Sequence, residues 1–276
     1  MEYIIEPLQY DFMLRAIVVS TLVGIVSALL SCFMMLKRWS LVGDAVSHSV
    51  LPGVVIAYAI GIPFSIGAFV FGLAGVLGIG FIKERVRLKE DAVIGVVYTT
   101  LFALGVVLIS LIPSNIDLQH ILFGYVLGIS TGDAIQVGVI STVVIITILA
   151  FRKSFLLYAF DQSHAKAIRL RVGFYHYLLL VMLALTVVAS VQTVGIILVI
   201  AMLVIPGSIA HLLTDDANSL FAVAVASSVI ACITGAYLSY YFDISTGGSM
   251  VLVLSALFAI TFLFAPKYGA IVGRRG

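Results

Sequence analysis

The chain has 276 residues, of which 62% are hydrophobic and 10% charged, with a formal net charge of +2. A soluble domain of this size could not stay in solution with that balance, so the composition excludes a water-soluble enzyme or binding module and predicts an all-α, polytopic membrane protein. So small a net charge says little about partners until the charges are placed on the two sides of a bilayer, and no nucleic-acid partner is expected.

A helical span needs about 20 apolar residues, and that length can be laid down repeatedly between short polar breaks. Eight to nine spans are expected, read at 12–36, 45–62, 65–82, 92–112, 133–151, 174–191, 195–213, 219–241 and 249–265, in a single membrane domain covering 1–276. The first is expected to be retained, since Glu2, Glu6 and Asp11 precede it in place of a basic n-region. The seventh contains Gly195, Pro206 and Gly207 and is a candidate broken helix.

Lysine and arginine set the expected orientation. Lys37 and Arg38 follow the first span, Lys83, Arg85, Arg87 and Lys89 the third, Arg152, Lys153, Lys166, Arg169 and Arg171 the fifth, and Lys267, Arg274 and Arg275 the last. Every cluster follows an odd-numbered span, which places the N-terminus outside and the C-terminus inside.

The residues Gly43-Asp44-Ala45-Val46-Ser47-His48-Ser49-Val50-Leu51-Pro52-Gly53 carry the strongest chemistry. Asp44 and His48 stand one helical turn apart on one face, where both can reach a common ion. Ionisable groups in a span normally face a partner or a water-filled route. Carboxylate oxygen with imidazole nitrogen suits Mn²⁺, Fe²⁺ or Zn²⁺, whereas Cu(I) would want sulfur ligands. Two ligands do not complete a coordination sphere; a second copy of the chain, waters or carbonyls would supply the rest. The competing reading is that Asp44 is a helix N-cap and His48 a hydrogen-bonded interior histidine.

Further along, 117–128 is too short to span and too apolar for a free loop, and is expected to be a re-entrant or interfacial helix on the outer side. His120 within it is a possible entry residue or a satisfied interfacial histidine. The segment 161–173 reads as a short amphipathic helix with Asp161 as N-cap, basic residues toward its end and Gly173 as the closing residue. It either lies on the inner leaflet, held to anionic lipid, or docks into a soluble partner. His164 and His176 beside it are expected to be solvated or headgroup-facing, and His211 is a weaker ligand candidate. Asp243, beside Thr246-Gly247-Gly248, is either a turn residue or a contact for a docking protein. Cys32 and Cys232 read as small buried hydrophobes.

No Walker A pattern, dinucleotide glycine fingerprint, His-Glu-x-x-His or Gly-x-Ser-x-Gly occurs. Energy for transport must therefore come from a partner or from an ion gradient.

The run 39–53 resembles the signature of the manganese/zinc/iron ABC transporter permeases, the ABC-3 family. So do Asp117-Leu118-Gln119-His120-Ile121-Leu122-Phe123-Gly124, the blocks Gln192-Thr193-Val194-Gly195 and Val204-Ile205-Pro206-Gly207, and Tyr241-Phe242-Asp243-Ile244-Ser245-Thr246-Gly247-Gly248. The resemblance implies the permease fold of an importer in a bacterial inner membrane, with two permease copies, two cytoplasmic ATP-binding subunits and an extracytoplasmic metal-binding receptor. It implies that Asp44 and His48 contribute to the metal path, and that 161–173, with Asp161, Ala165 and Gly173, is the coupling helix for the ATPase. No permanently bound cofactor is implied, only a transported ion; 87–92, 213–216 and 264–267 look more like the manganese and iron branch than the zinc branch. Such a subunit is not itself an enzyme. An ion-coupled secondary metal transporter, or a structural membrane subunit without metal dependence, are the rival classes.

Overall fold

With no water available in a bilayer, an apolar run must satisfy every backbone group internally, and among the described residues each long apolar run is a helix and no strand occurs. The computed structural model describes residues 6–39, 41–86, 88–112, 126–265 and 269–271. The helices are α1 (Asp11–Lys37), α2 (Val42–Ile60), α3 (Phe64–Arg85), α4 (Glu90–Leu111), α5 (Thr131–Ala150), α6 (Arg152–Phe160), α7 (Gln162–Ala167), α8 (Val172–Val194), α9 (Ile196–Leu213), α10 (Ala217–Phe242) and α11 (Thr246–Phe264), with single 3₁₀ turns at Glu6–Gln9 and Val126–Gly128. Nine of the described helices, all but α6 and α7, are long and apolar enough to cross a membrane. They match the nine expected spans with ends shifted by at most three residues.

The helix α1 is the hub: it packs on α5, α9 and α10, and α9 in turn on α10 and α11. A second group is α2 held against α3 and α4, and α8 joins the two groups through α3, α5 and α2. By contrast α4, α5 and α11 bury little of their length, as expected of helices facing lipid or a further chain.

Two glycines of the second group fix how close its helices come. A Cβ built on Gly53 of α2 would run into the backbone carbonyl of Gly67 on α3, and one on Gly67 into that of Gly53. The two backbones touch there, which is the close approach that small residues permit in membrane helices.

Of the three residues behind the expected break in the seventh span, Gly195 interrupts the helices and the Pro206–Gly207 pair does not. The helix α9 runs unbroken through Pro206. Gly207 next to it donates its N–H to Ser31 Oγ of α1 at 2.9 Å, so a neighbouring serine takes up a backbone group that the proline disturbs. The interruption falls instead at Gly195, whose φ of 82° and ψ of 161° separate α8 from α9. That backbone region is costly for any residue with a Cβ.

The segment 161–173 is also shorter than expected as a helix. Asp161 caps it, accepting from the N–H groups of Ser163 and His164 at 2.9 Å each. It ends at Ala167, however, and Gly173 is not its closing residue but the second residue of α8. Arg169 adopts the left-handed φ of 61° that was expected of the glycine. Its N–H reaches the Lys166 carbonyl at 3.0 Å, and the Leu170 N–H reaches that of Ala165 at 2.9 Å, the bond pair of a Schellman ending. An arginine in this position carries no sequence signal, because the conformation normally selects Gly or Asn. The preceding helix α6 falls within what read as a basic loop; it buries Phe155 and Tyr158, three residues apart, beneath its exposed first turn.

Of the expected outer segment 117–128, residues 117–125, His120 among them, lie outside the described residues, and Val126–Gly128 forms one 3₁₀ turn. At the opposite end Asp216 caps α10, accepting from the Ser219 N–H at 2.8 Å and the Ser219 hydroxyl at 2.9 Å. Those bonds hold its carboxyl below the usual carboxylate range.

Candidate metal-path site

Helix α2 starts three residues earlier than its apolar run, and this decides the role of Asp44. Leu41 is the N-cap and makes no side-chain capping bond, so Asp44 lies inside the first turn and is not the cap. Its carboxylate is therefore free of the helix start, while still favoured by the positive end of the helix dipole. One turn on, His48 Nε2 sits 3.2 Å from Asp44 Oδ1. Both side chains remain open, His48 at 25% and Asp44 at 29% exposure, although their neighbours Ala45, Val46, Ser47 and Ser49 are buried. The hydroxyls of Ser47 and Ser49 are turned onto their own helix, donating to the carbonyls of Gly43 and Ala45. They are not part of the polar face.

The His48 ring is fixed from one side by α4. Tyr98 stacks on it with ring centroids 5.7 Å apart and Phe102 meets it edge-on at 5.0 Å. Tyr98 and Phe102 are themselves four residues apart, so one face of α4 forms the aromatic wall. His48 Nδ1 is enclosed and has no hydrogen-bond partner. A carboxylate only accepts, so any hydrogen bond across this contact is donated by Nε2–H. Pro52 adds one more oxygen: it lies four residues beyond His48 and has no N–H, which takes away the usual helical donor of the His48 carbonyl.

Among the described residues no three His, Cys, Asp or Glu side chains come together. The structure brings Asp44 and His48 into contact and leaves the other described candidates apart from them. Asp243 is the left-handed residue, φ 51°, at the corner between α10 and α11, both of which pack on α9. His164 lies on α7, and His176 Nδ1 is 2.8 Å from the Tyr158 hydroxyl. Ala165 is fully buried and Gly173 lies in the first turn of α8. The residues missed from sequence are Tyr98 and Phe102; their i, i+4 spacing is visible, but nothing in the sequence says that α4 covers α2.

Comparison with known proteins places this geometry in context. The ABC 3 transport family matches residues 9–265. The manganese transport system membrane protein MntB of Synechocystis sp. is 57% identical over 267 residues, spanning 97% of this chain and 87% of that protein. A probable iron transport system membrane protein of Haemophilus influenzae is 47% identical over 264 residues, spanning 96% and 97%. Among solved structures, PsaBC from Streptococcus pneumoniae in complex with a Fab is similar at a TM-score of 0.87 and 37% identity, covering 97% of this chain and 96% of that one.

Proposed function

The chain belongs to the ABC 3 transport family, a multi-pass protein of the bacterial inner membrane, and on that footing we propose that it is the permease subunit of an ATP-driven importer of a divalent metal ion. Mn²⁺ is the preferred cargo in this reading, supported by the higher identity to the manganese relative, with Fe²⁺ or Zn²⁺ as the alternatives. The observation that carries it is the open Asp44–His48 pair on an otherwise buried stretch of α2.

Asp44 supplies the charge that makes it favourable for a dication to shed water, and His48 Nε2 supplies a borderline ligand. To ligate, Nε2 must give up the proton that it shares with Asp44. A metal-binding histidine usually has its other ring nitrogen tied to a carboxylate or carbonyl; Nδ1 here has nothing to tie it. The ligand is weakened accordingly, which suits a site that must let its ion go. Water, the His48 carbonyl and the equivalent pair of a second copy complete the shell.

The chain carries no nucleotide-binding pattern, so hydrolysis belongs to a separate ATP-binding chain, and an extracytoplasmic receptor delivers the ion. The ATPase docks on the basic side, at α7. Asp161 holds that helix in place, Ala165 is its buried underside, and Ser163, His164 and Lys166 face outward. ATP-driven closure moves this segment and, through the adjoining first turn of α8 at Gly173, the helices around the pair.

The test is ⁵⁴Mn²⁺ uptake by vesicles carrying this chain with its ATPase and receptor, with Fe²⁺ and Zn²⁺ as competitors. ATP-dependent uptake with Mn²⁺ the strongest competitor is expected, together with cross-linking of Ser163→Cys, but not Asp243→Cys, to the ATPase. Uptake driven by an ion gradient without ATP would favour the secondary-transporter class instead, and a ranking led by Zn²⁺ or Fe²⁺ would reassign the cargo.

A further inference from the structure

One basic residue stands apart from all the others. Of the 15 lysines and arginines, 14 lie in the clusters that follow odd-numbered spans. The exception is Arg15, in the second turn of α1 and so near the start of a span, where an ionisable group normally has a partner of its own. Its guanidinium donates to the Thr131 hydroxyl of α5 at 3.1 Å, which engages one of five N–H donors. No carboxylate among the described residues is bonded to it. Asp133 in the first turn of α5 accepts from the Ser130 hydroxyl at 2.6 Å. Asp11 lies one turn before Arg15 on the same face, exposed, and its carboxylate has no bond to a described residue.

From Arg15 toward the middle of α1, the two helices leave an open groove of about 220 Å³. Apart from Arg15 its lining is apolar, with Val18 and Leu22 from α1 and Ala134, Val137 and Gly138 from α5. A Cβ on Gly138 would meet nothing, and Val18 is 52% exposed. In the other direction, Tyr10 and Phe12 stand exposed at the start of α1, and the Tyr10 ring lies 6.0 Å from that of Tyr240. Aromatic side chains gather in this way where a bilayer's headgroups begin. Along this face the surface therefore runs from apolar to cationic at Arg15 and then, one turn of about 5.4 Å further on, to anionic at Asp11. A phospholipid that carries a cation beyond its phosphate has the complementary order. We propose that the α1–α5 groove binds phosphatidylethanolamine. An acyl chain lies along Val18, Leu22 and Gly138, the phosphate accepts from Arg15, and the ammonium donates to Asp11. A guanidinium can hold a phosphate through two parallel N–H bonds, and a primary ammonium has three donors to offer a carboxylate, which a trimethylammonium lacks. This assignment does not depend on the metal path.

The test uses the purified full chain in neutral detergent with phosphatidylethanolamine, phosphatidylcholine or phosphatidylglycerol, read by native mass spectrometry, with helicity followed by circular dichroism. The native chain is expected to retain phosphatidylethanolamine about tenfold more tightly than either of the others. Arg15→Gln should abolish that retention, and Asp11→Asn should lower it to the phosphatidylcholine level. Gly138→Leu fills the groove without touching either charge and should also block the lipid at unchanged helicity. Thr131→Val removes the bond between the helices but leaves the guanidinium in place, and should retain the lipid. Equal retention of the three lipids by the native chain would overturn the proposal, since it would mean an unselective lipid boundary. So would native retention in Arg15→Gln or Gly138→Leu, and so would phosphatidylglycerol held more tightly than phosphatidylethanolamine, which would mean that Asp11 does not read the ammonium. A loss in Thr131→Val as large as that in Arg15→Gln would also overturn it, by making Arg15 only a tie between the helices.

Discussion

Asp44→Ala and His48→Ala are each expected to assemble normally and to lose metal uptake by at least about tenfold, the equivalent of ~1.4 kcal/mol in the rate-limiting barrier. Assembly should survive because neither side chain caps the helix or bonds to another helix, and His48→Ala gives up only the packing of its ring on Tyr98 and Phe102 of α4. The helix start is set by Leu41 rather than by an Asp44 cap, both side chains are a quarter to a third exposed, and their contact joins only residues of the same helix. Transport should fail because the pair is the polar surface on that part of α2. The neighbouring serine hydroxyls are committed to carbonyls of their own helix and offer no substitute. Asp44→Asn keeps the size and removes the charge, so it should fail almost as fully; Asp44→Glu keeps the charge and should retain part of the uptake. Uptake per assembled complex in reconstituted vesicles is the readout. Native rates in both alanine variants would mean that the ion passes elsewhere.

Gly53→Val is expected to be the most damaging substitution outside the site. A Cβ at this position meets the Gly67 backbone, which cannot rotate away as a side chain would. Overpacking of a core costs about 1–3 kcal/mol when side chains can adjust, and here the cost should reach the top of that range or exceed it because α2 or α3 must shift as a whole. Any such shift also carries Asp44 and His48 with it, since α2 is clamped between α3 and α4. Gly78→Val on α3, where an added Cβ meets nothing, is the matched control. In detergent, the Gly53 variant should unfold well below the native chain and the Gly78 variant close to it. Coincident unfolding of all three would show that the helices do not touch as described.

The spans were legible because burial in a bilayer leaves one solution for a long apolar run, and α9 was found despite Pro206 for the same reason. The pair was legible because Asp44 and His48 are i, i+4. What could not be read is what depends on a second element arriving. The wall of Tyr98 and Phe102 over His48 and the contact of Gly53 with Gly67 each join two separate helices, and neither partner's pattern names the other. The α7 boundary was misplaced for a local reason: Gly173 offered the usual helix ending, while Arg169 adopted it in the structure. Asp44 read as a possible cap because the apolar run begins at Ala45, but the helix begins at Val42.

The most direct test is pulsed electron paramagnetic resonance of Mn²⁺ bound to the purified permease–ATPase complex held without ATP. Nitrogen modulation from imidazole coordination is predicted. It should disappear in His48→Ala, persist in His164→Ala, and weaken together with Mn²⁺ affinity in Asp44→Ala. Nitrogen modulation unchanged in His48→Ala, or absent from the native complex at saturating Mn²⁺, would contradict the assignment of the metal path to this face of α2.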